Sequence, residues 1–85
     1  MRGGFVHNRL LIAPCADALR RQGATVRLEF PAAPGRSGGA VDVFAELRGL
    51  RIVVEAERST DRVGNDLRKA KRLGADLLQI GRAHV

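Results

Sequence analysis

Apolar positions recur along this chain first at helical and then at strand spacing. From His7 to Gln22, Leu11, Cys15, Ala18 and Leu19 fall on one helical stripe, which Ile12 and Ala16 widen. Gly23 stands where a left-handed C-terminal cap is expected, and Arg20 and Arg21 fall in the last turn, where the helix dipole favours cations. Pro14 removes one helical hydrogen bond, so the helix either kinks there or begins there with Pro14 in its first turn. From Thr25 to Phe30 the pattern alternates, with Val26, Leu28 and Phe30 on one face and Thr25, Arg27 and Glu29 on the other. Residues 31–39 (PAAPGRSGG) read as loop. A second helix is predicted over Asp61–Leu73, capped by Thr60, stopped by Gly74 and carrying the stripe Val63, Leu67 and Ala70. A fourth strand opens at Asp76–Gln79.

Between the loop and the second helix lie two strands, Ala40–Leu47 and Leu50–Glu57, joined by Arg48-Gly49 as a two-residue turn. In that register Val41, Val43, Ala45 and Leu47 face Ala56, Val54, Ile52 and Leu50, an all-apolar side. The other side pairs Glu46 with Arg51, Phe44 with Val53, Asp42 with Glu55 and Ala40 with Glu57. A one-residue slip mixes the two sides, so pattern and turn agree. The order helix, three strands, helix, strand predicts an α/β (α+β) domain built around a mixed sheet.

Asp42 thus opposes Glu55, with Cβ atoms expected about 4.5–5.5 Å apart, and Glu57 follows on the same side. Facing like charges destabilise a sheet. Such a cluster either keeps a proton or binds a hard cation; oxygen ligands without His or Cys suit Mg²⁺ or Mn²⁺. A solvated acidic face, paired with Arg27, Arg51 or Arg58, satisfies the same spacing.

Fifteen Lys and Arg against nine Asp and Glu give a net charge of +6, which attracts polyanions, nucleic acid foremost. Trp and Tyr are absent and three Phe remain, so phosphates rather than stacked bases are the expected contact. The single cysteine, Cys15, excludes an internal disulfide and a cysteine-built zinc site, and suits a cytoplasmic setting. No apolar run is long enough to span a bilayer, and no membrane partner is expected.

The run VDVFAELRGLRIVVEAE, followed by NDLRKAKRLGADLL, resembles the PD-(D/E)XK nuclease superfamily, the restriction-endonuclease-like fold, over nearly the whole chain from His7 through Leu77. The resemblance implies a metal-dependent DNA endonuclease-like domain that hydrolyses phosphodiester bonds with Mg²⁺ (or Mn²⁺). By motif position, Asp42 and Glu55 are the implied metal ligands. The strand lysine of the family's Glu-x-Lys motif is replaced by Glu57, and the chain resembles a branch with Glu-x-Glu followed by a helical Asn-x-x-x-Lys, matched by Asn65 and Lys69. The implied catalytic set is Asp42, Glu55, Glu57 and Lys69, with Lys69 at the margin of its helix stripe and able to reach back to the sheet. Arg58, Arg62 and Arg68 are the expected contacts to flanking DNA phosphates. Asp17, Glu29 and His7 are fainter candidates. The missing strand lysine also supports a catalytically inactive nuclease-fold module that docks DNA or a partner within a larger DNA-processing protein; a homodimer is a further expectation.

The last six residues, IGRAHV, resemble the in-frame translation of a sequencing adapter. The expectation is therefore a single domain over residues 1–79, truncated at its C-terminal side, with residues 80–85 a non-native tail.

Overall fold

A computed structural model describes residues 11–33, 39–57 and 62–82. It is an α+β arrangement of helix α1 (Ala13–Arg21), strands β1 (Thr25–Pro31), β2 (Ala40–Leu47) and β3 (Leu50–Glu57), helix α2 (Val63–Arg72) and strand β4 (Leu77–Arg82). The four strands form one sheet in the order β1-β2-β3-β4, antiparallel except for the parallel pair β3 and β4, which α2 connects. His7 and Thr60 lie outside the described residues.

Pro14 sits in the first turn of α1, directly after a π-type turn at Leu11 and Ile12, the wider winding at the point where proline offers no N–H. Gly23 (φ +98°) and Gly74 (φ +67°) follow the two helices in the left-handed conformation that ends them. The β2–β3 turn places Arg48 at φ +51° and Gly49 at φ +83°, the pair of positive values that matches the twist of a two-residue hairpin. The predicted register follows, from Leu47 opposite Leu50 to Val43 opposite Val54.

Each sheet face buries one helix. Ile12 and Ala16 are buried on the α1 side, and Ile12 packs with Val43, Ala45, Ile52, Val54 and Ala56, flanked by Leu11, Cys15 and Leu19. On the α2 side Ala70 packs with Val41 and Val53, flanked by Phe30, Phe44, Leu73 and Leu78. The side of the hairpin that carries Phe44, Val53 and Glu55 is therefore roofed by a helix rather than solvated.

Three sequence expectations need correction. Val26 and Phe30 do not share a face: Val26 joins the α1-side cluster and Phe30 the α2-side cluster, while Leu28 is exposed. Glu29, at φ +51°, breaks the alternation between them. Val41 likewise parts from Val43 and Ala45 and joins the α2 side. The α2 stripe is rotated, with Leu67 half exposed and Asp66 fully buried beside Ala70. The fourth strand, expected to open over Asp76–Gln79, is β4, in which Ile80, Gly81 and Arg82 pair with Glu55, Ala56 and Glu57. Gly81 lies against Leu11, which an added Cβ would approach to 3.3 Å.

Candidate metal centre

Asp42 is missing from both ladders of its own strand. The β1–β2 pairing skips from Leu28–Val43 to Phe30–Val41, and the β2–β3 pairing stops at Val43–Val54. The pairing of β2 with both neighbours lapses at Asp42, beside Glu29 and Glu55, and backbone groups freed there need other partners. Asp42 N–H donates to Glu55 Oε1 at 3.2 Å, and Ala56 N–H donates to Asp42 Oδ2 at 2.9 Å. Two side chains thus replace ladder bonds, which fixes both carboxylates at the fork between the strands.

Helix α2 closes over this fork. Asp66, Lys69, Ala70 and Leu73 follow one another at helical spacing, and the helix presents this line to the sheet. Lys69 Nζ lies 2.9 Å from Glu55 Oε2 and 3.8 Å from Asp66 Oδ1, and it donates to Ala40 C=O at 2.8 Å. Glu55, Glu57 and Asp66 each bring one carboxylate oxygen within 4.8 Å of the other two. Glu55 and Asp66 are buried and Glu57 is half-buried.

Such a set fits a hard divalent cation. All donors are oxygens, the type that Mg²⁺, Mn²⁺ and Ca²⁺ prefer, and opposite oxygens around Mg²⁺ stand about 4.2 Å apart. Small inward movements therefore bring the three carboxylates onto one ion. Both oxygens of Asp66 are buried without a hydrogen-bond partner among the described residues. A buried carboxylate left so is costly unless a proton or a cation satisfies it.

The protonation state carries the same message. Burial raises the Glu55 carboxyl from 4.5 to about 7; Lys69 opposes the rise, and the charges of Asp42 and Asp66 add to it. Burial raises Asp66 from 3.8 to about 6, with Glu57 adding to the rise and Lys69 opposing it. Either protons or a cation must hold these groups together.

The expected residues thus divide. Glu55, Glu57 and Lys69 are drawn together, and Asp42 is bonded to Glu55 and Ala56 at the edge of the group. Arg68 and Asn65 are exposed on α2, Arg62 is exposed just before its first residue, and Arg58 lies outside the described residues. Asp17 is exposed and pairs with Arg20 at 3.2 Å. Glu29 is exposed. The residue that sequence reasoning missed is Asp66. Its signal was its place three residues before Lys69, four before Ala70 and seven before Leu73, which marks a buried face once the exposed Leu67 is discounted. No helix among the described residues is long and apolar enough to cross a membrane. No family model, curated protein or solved structure matches the chain.

Proposed function

We propose that this chain is a metal-dependent nuclease-like domain that hydrolyses DNA phosphodiester bonds on a restriction-endonuclease-like core. The observation that carries the reading is the buried Asp66 carboxylate, neither oxygen of which accepts a hydrogen bond from a described donor, gathered with Glu55 and Glu57 under a helix. The resemblance of VDVFAELRGLRIVVEAE and the helical Asn-x-x-x-Lys to the PD-(D/E)XK superfamily supports it, as does the charge of +6. In this reading Glu55, Glu57 and Asp66 hold Mg²⁺ or Mn²⁺, and Asp42 fixes Glu55 from the neighbouring strand through its N–H.

A divalent ion bound there supplies a Lewis acid for a phosphate oxygen and lowers the pKa of a coordinated water. The residues of the chain do the rest. Glu57, the least buried of the three acids, orients the attacking water and accepts its proton. Lys69 offers positive charge to the phosphate oxygens as the negative charge grows, the role that a lysine two residues after Glu55 fills in the common motif. Arg62, exposed just before α2, and Arg68, exposed on it, bind flanking phosphates, which favours contact with the backbone over any base sequence. Phe30 and Phe44 stack on each other, with centroids 4.8 Å apart, and so are engaged within the fold rather than offered to bases.

Cleavage of supercoiled plasmid and of labelled duplex with Mg²⁺ or Mn²⁺, beside Glu55→Gln and Asp66→Asn, tests the proposal. The reading expects cleavage that needs the metal and is lost in both variants. Metal binding and DNA binding without any cleavage would instead identify the inactive docking module that the missing strand lysine also suits.

A further inference from the structure

Lys69 is the one basic side chain in ion-pair contact with the acidic cluster among the described residues. Its position is unusually enclosed for a lysine. The side chain is 13% exposed, Nζ donates to Ala40 C=O at 2.8 Å, and the stem passes 3.6 Å from the place where a Cβ on Gly39 would stand. Its ammonium faces the same atoms that a metal would need. Glu55 Oε1 already accepts Asp42 N–H at 3.2 Å, while the buried Oε2 accepts no hydrogen bond among the described residues and is the less committed oxygen; Lys69 Nζ lies 2.9 Å from Oε2. On the helix side Asp66 Oδ1, the atom nearest Lys69 at 3.8 Å, accepts no hydrogen bond.

We propose that Lys69 is the built-in counter-cation of the metal-free cluster, and that a divalent ion binds by taking Glu55 Oε2 and Asp66 from its ammonium group. This rests on reading the cluster as a cation site. A monovalent ammonium and a divalent ion cannot both sit against Oε2 without strong repulsion across a few ångströms of poorly screening interior. The ion carries more charge and can take an oxygen from each of the three acids, whereas the ammonium is in close contact with one. Lys69 therefore has two consequences for the same site. It holds the cluster closed in the absence of metal, and it weakens the apparent metal affinity by the work of its own displacement. Once displaced, a flexible four-carbon stem leaves its charge near the ion but outside its ligand sphere, where an incoming phosphate needs it.

The test is Mn²⁺ binding by calorimetry to the 85-residue chain and to Lys69→Met, at about pH 8, with Glu55→Gln as a control. The inference expects Lys69→Met to bind Mn²⁺ at least about tenfold more tightly, the direction set by removing a unit positive charge beside the ion. It also expects a lower metal-free melting temperature and a larger rise when Mn²⁺ is added. Wild-type binding with no gain in Lys69→Met overturns this inference alone. Absence of Mn²⁺ binding in both proteins overturns the cation site itself. If metal-free Lys69→Met does not fold, the wild type carries the test by ¹⁵N NMR of the lysine ammonium groups. The Lys69 signal is expected to be protected without metal and to shift or vanish as Mg²⁺ saturates the site; an unchanged signal at saturation overturns the proposal.

Discussion

The backbone N–H of Asp42 donates to Oε1 of Glu55, 3.2 Å away, at the point where both of β2's ladders lapse. The bond is returned one residue further on, since Asp42 Oδ2 accepts Ala56 N–H at 2.9 Å. Facing carboxylates that would repel across a regular sheet are thereby turned into two acceptors for backbone donors that the interruption sets free. The sheet defect and the acid pair explain each other.

Removing this clasp separates its structural part from its charge. Asp42→Ala leaves Ala56 N–H without its acceptor and is expected to cost about 1–3 kcal/mol, a melting-temperature loss of roughly 5–15 °C for a domain of this size. Asp42→Asn keeps an acceptor oxygen and should stay close to wild type in stability. It also removes a negative charge beside Glu55, so the Glu55 carboxyl, followed by ¹³C NMR, should titrate below the value of about 7 that it has with Asp42 present.

Stability of the metal-free protein should fall as pH rises. Between 4.5 and about 7 the native state keeps a proton on Glu55 that the unfolded chain has lost, and between 3.8 and about 6 the same holds for Asp66. The native state binds more protons in this window, so the slope of unfolding free energy with pH is negative. The two groups' favourable contribution is fully present below about pH 4 and is gone by about pH 7, a difference on the order of a few kcal/mol. Denaturant melts at closely spaced pH values in the presence of a chelator measure it.

A divalent ion should reverse that trend. Binding requires the protons to leave Glu55 and Asp66, so Mg²⁺ or Mn²⁺ affinity is expected to rise through the range from about 6 to about 7 and then to level off. Thermal shifts at saturating metal should be small at pH 5 and amount to several degrees at pH 8.

Asp66→Asn exposes the cost of the site to the fold. The substitution removes a buried charge and supplies amide donors to Glu55 and Glu57, so the metal-free variant is expected to melt a few degrees above wild type at pH 8. It should show no Mn²⁺-dependent stabilisation. A variant that melts lower and still responds to Mn²⁺ would remove Asp66 from the ligand set.

The C-terminal end of α2 is held by a separate set of contacts. Arg51 N–H donates to Asp76 Oδ2 at 2.9 Å, Asp76 N–H donates to Arg51 C=O at 2.8 Å, and Arg51 Nη1 donates to Leu73 C=O at 3.3 Å. Gly74→Ala places a Cβ 2.9 Å from Arg51 Nη1 at a backbone φ of +67°. A cost of about 1–2 kcal/mol is expected from the left-handed strain alone, read as a lower melting temperature with the metal response retained.

The hairpin was legible from residues alone because Arg48-Gly49 and the all-apolar row Val43, Ala45, Ile52, Val54 admit only one register. The ends of the helices were legible from Pro14, Gly23 and Gly74. Two features were not. The reversal of faces at Glu29 follows from a backbone conformation that a glutamate rarely adopts, and no local pattern announces it. The rotation of α2 follows from tertiary contacts: hydrophobicity ranks Leu67 above Asp66, but the sheet beneath the helix presents Glu55 and Glu57, and Lys69 on the same side of the helix turns toward them, so this side is polar rather than apolar. The third carboxylate was hidden for the same reason that makes it informative, since an acid on the buried side of a helix runs against the rule by which buried sides are found.

The parallel pairing of β3 with β4 bears on the order in which the molecule assembles. Ile52 meets Leu77 and Glu57 meets Arg82, so the outer flank of the acid-bearing strand is supplied by chain made only after helix α2. A nascent hairpin of β2 and β3 can close while Glu55 and Glu57 are still bathed in water, where their repulsion is weak. Full desolvation of the carboxylates comes with the docking of α2 and β4 over the hairpin. The electrostatic cost of enclosing Glu55 and Glu57 is therefore met together with the burial of the α2-side apolar cluster of Val41, Val53 and Ala70, which offsets it.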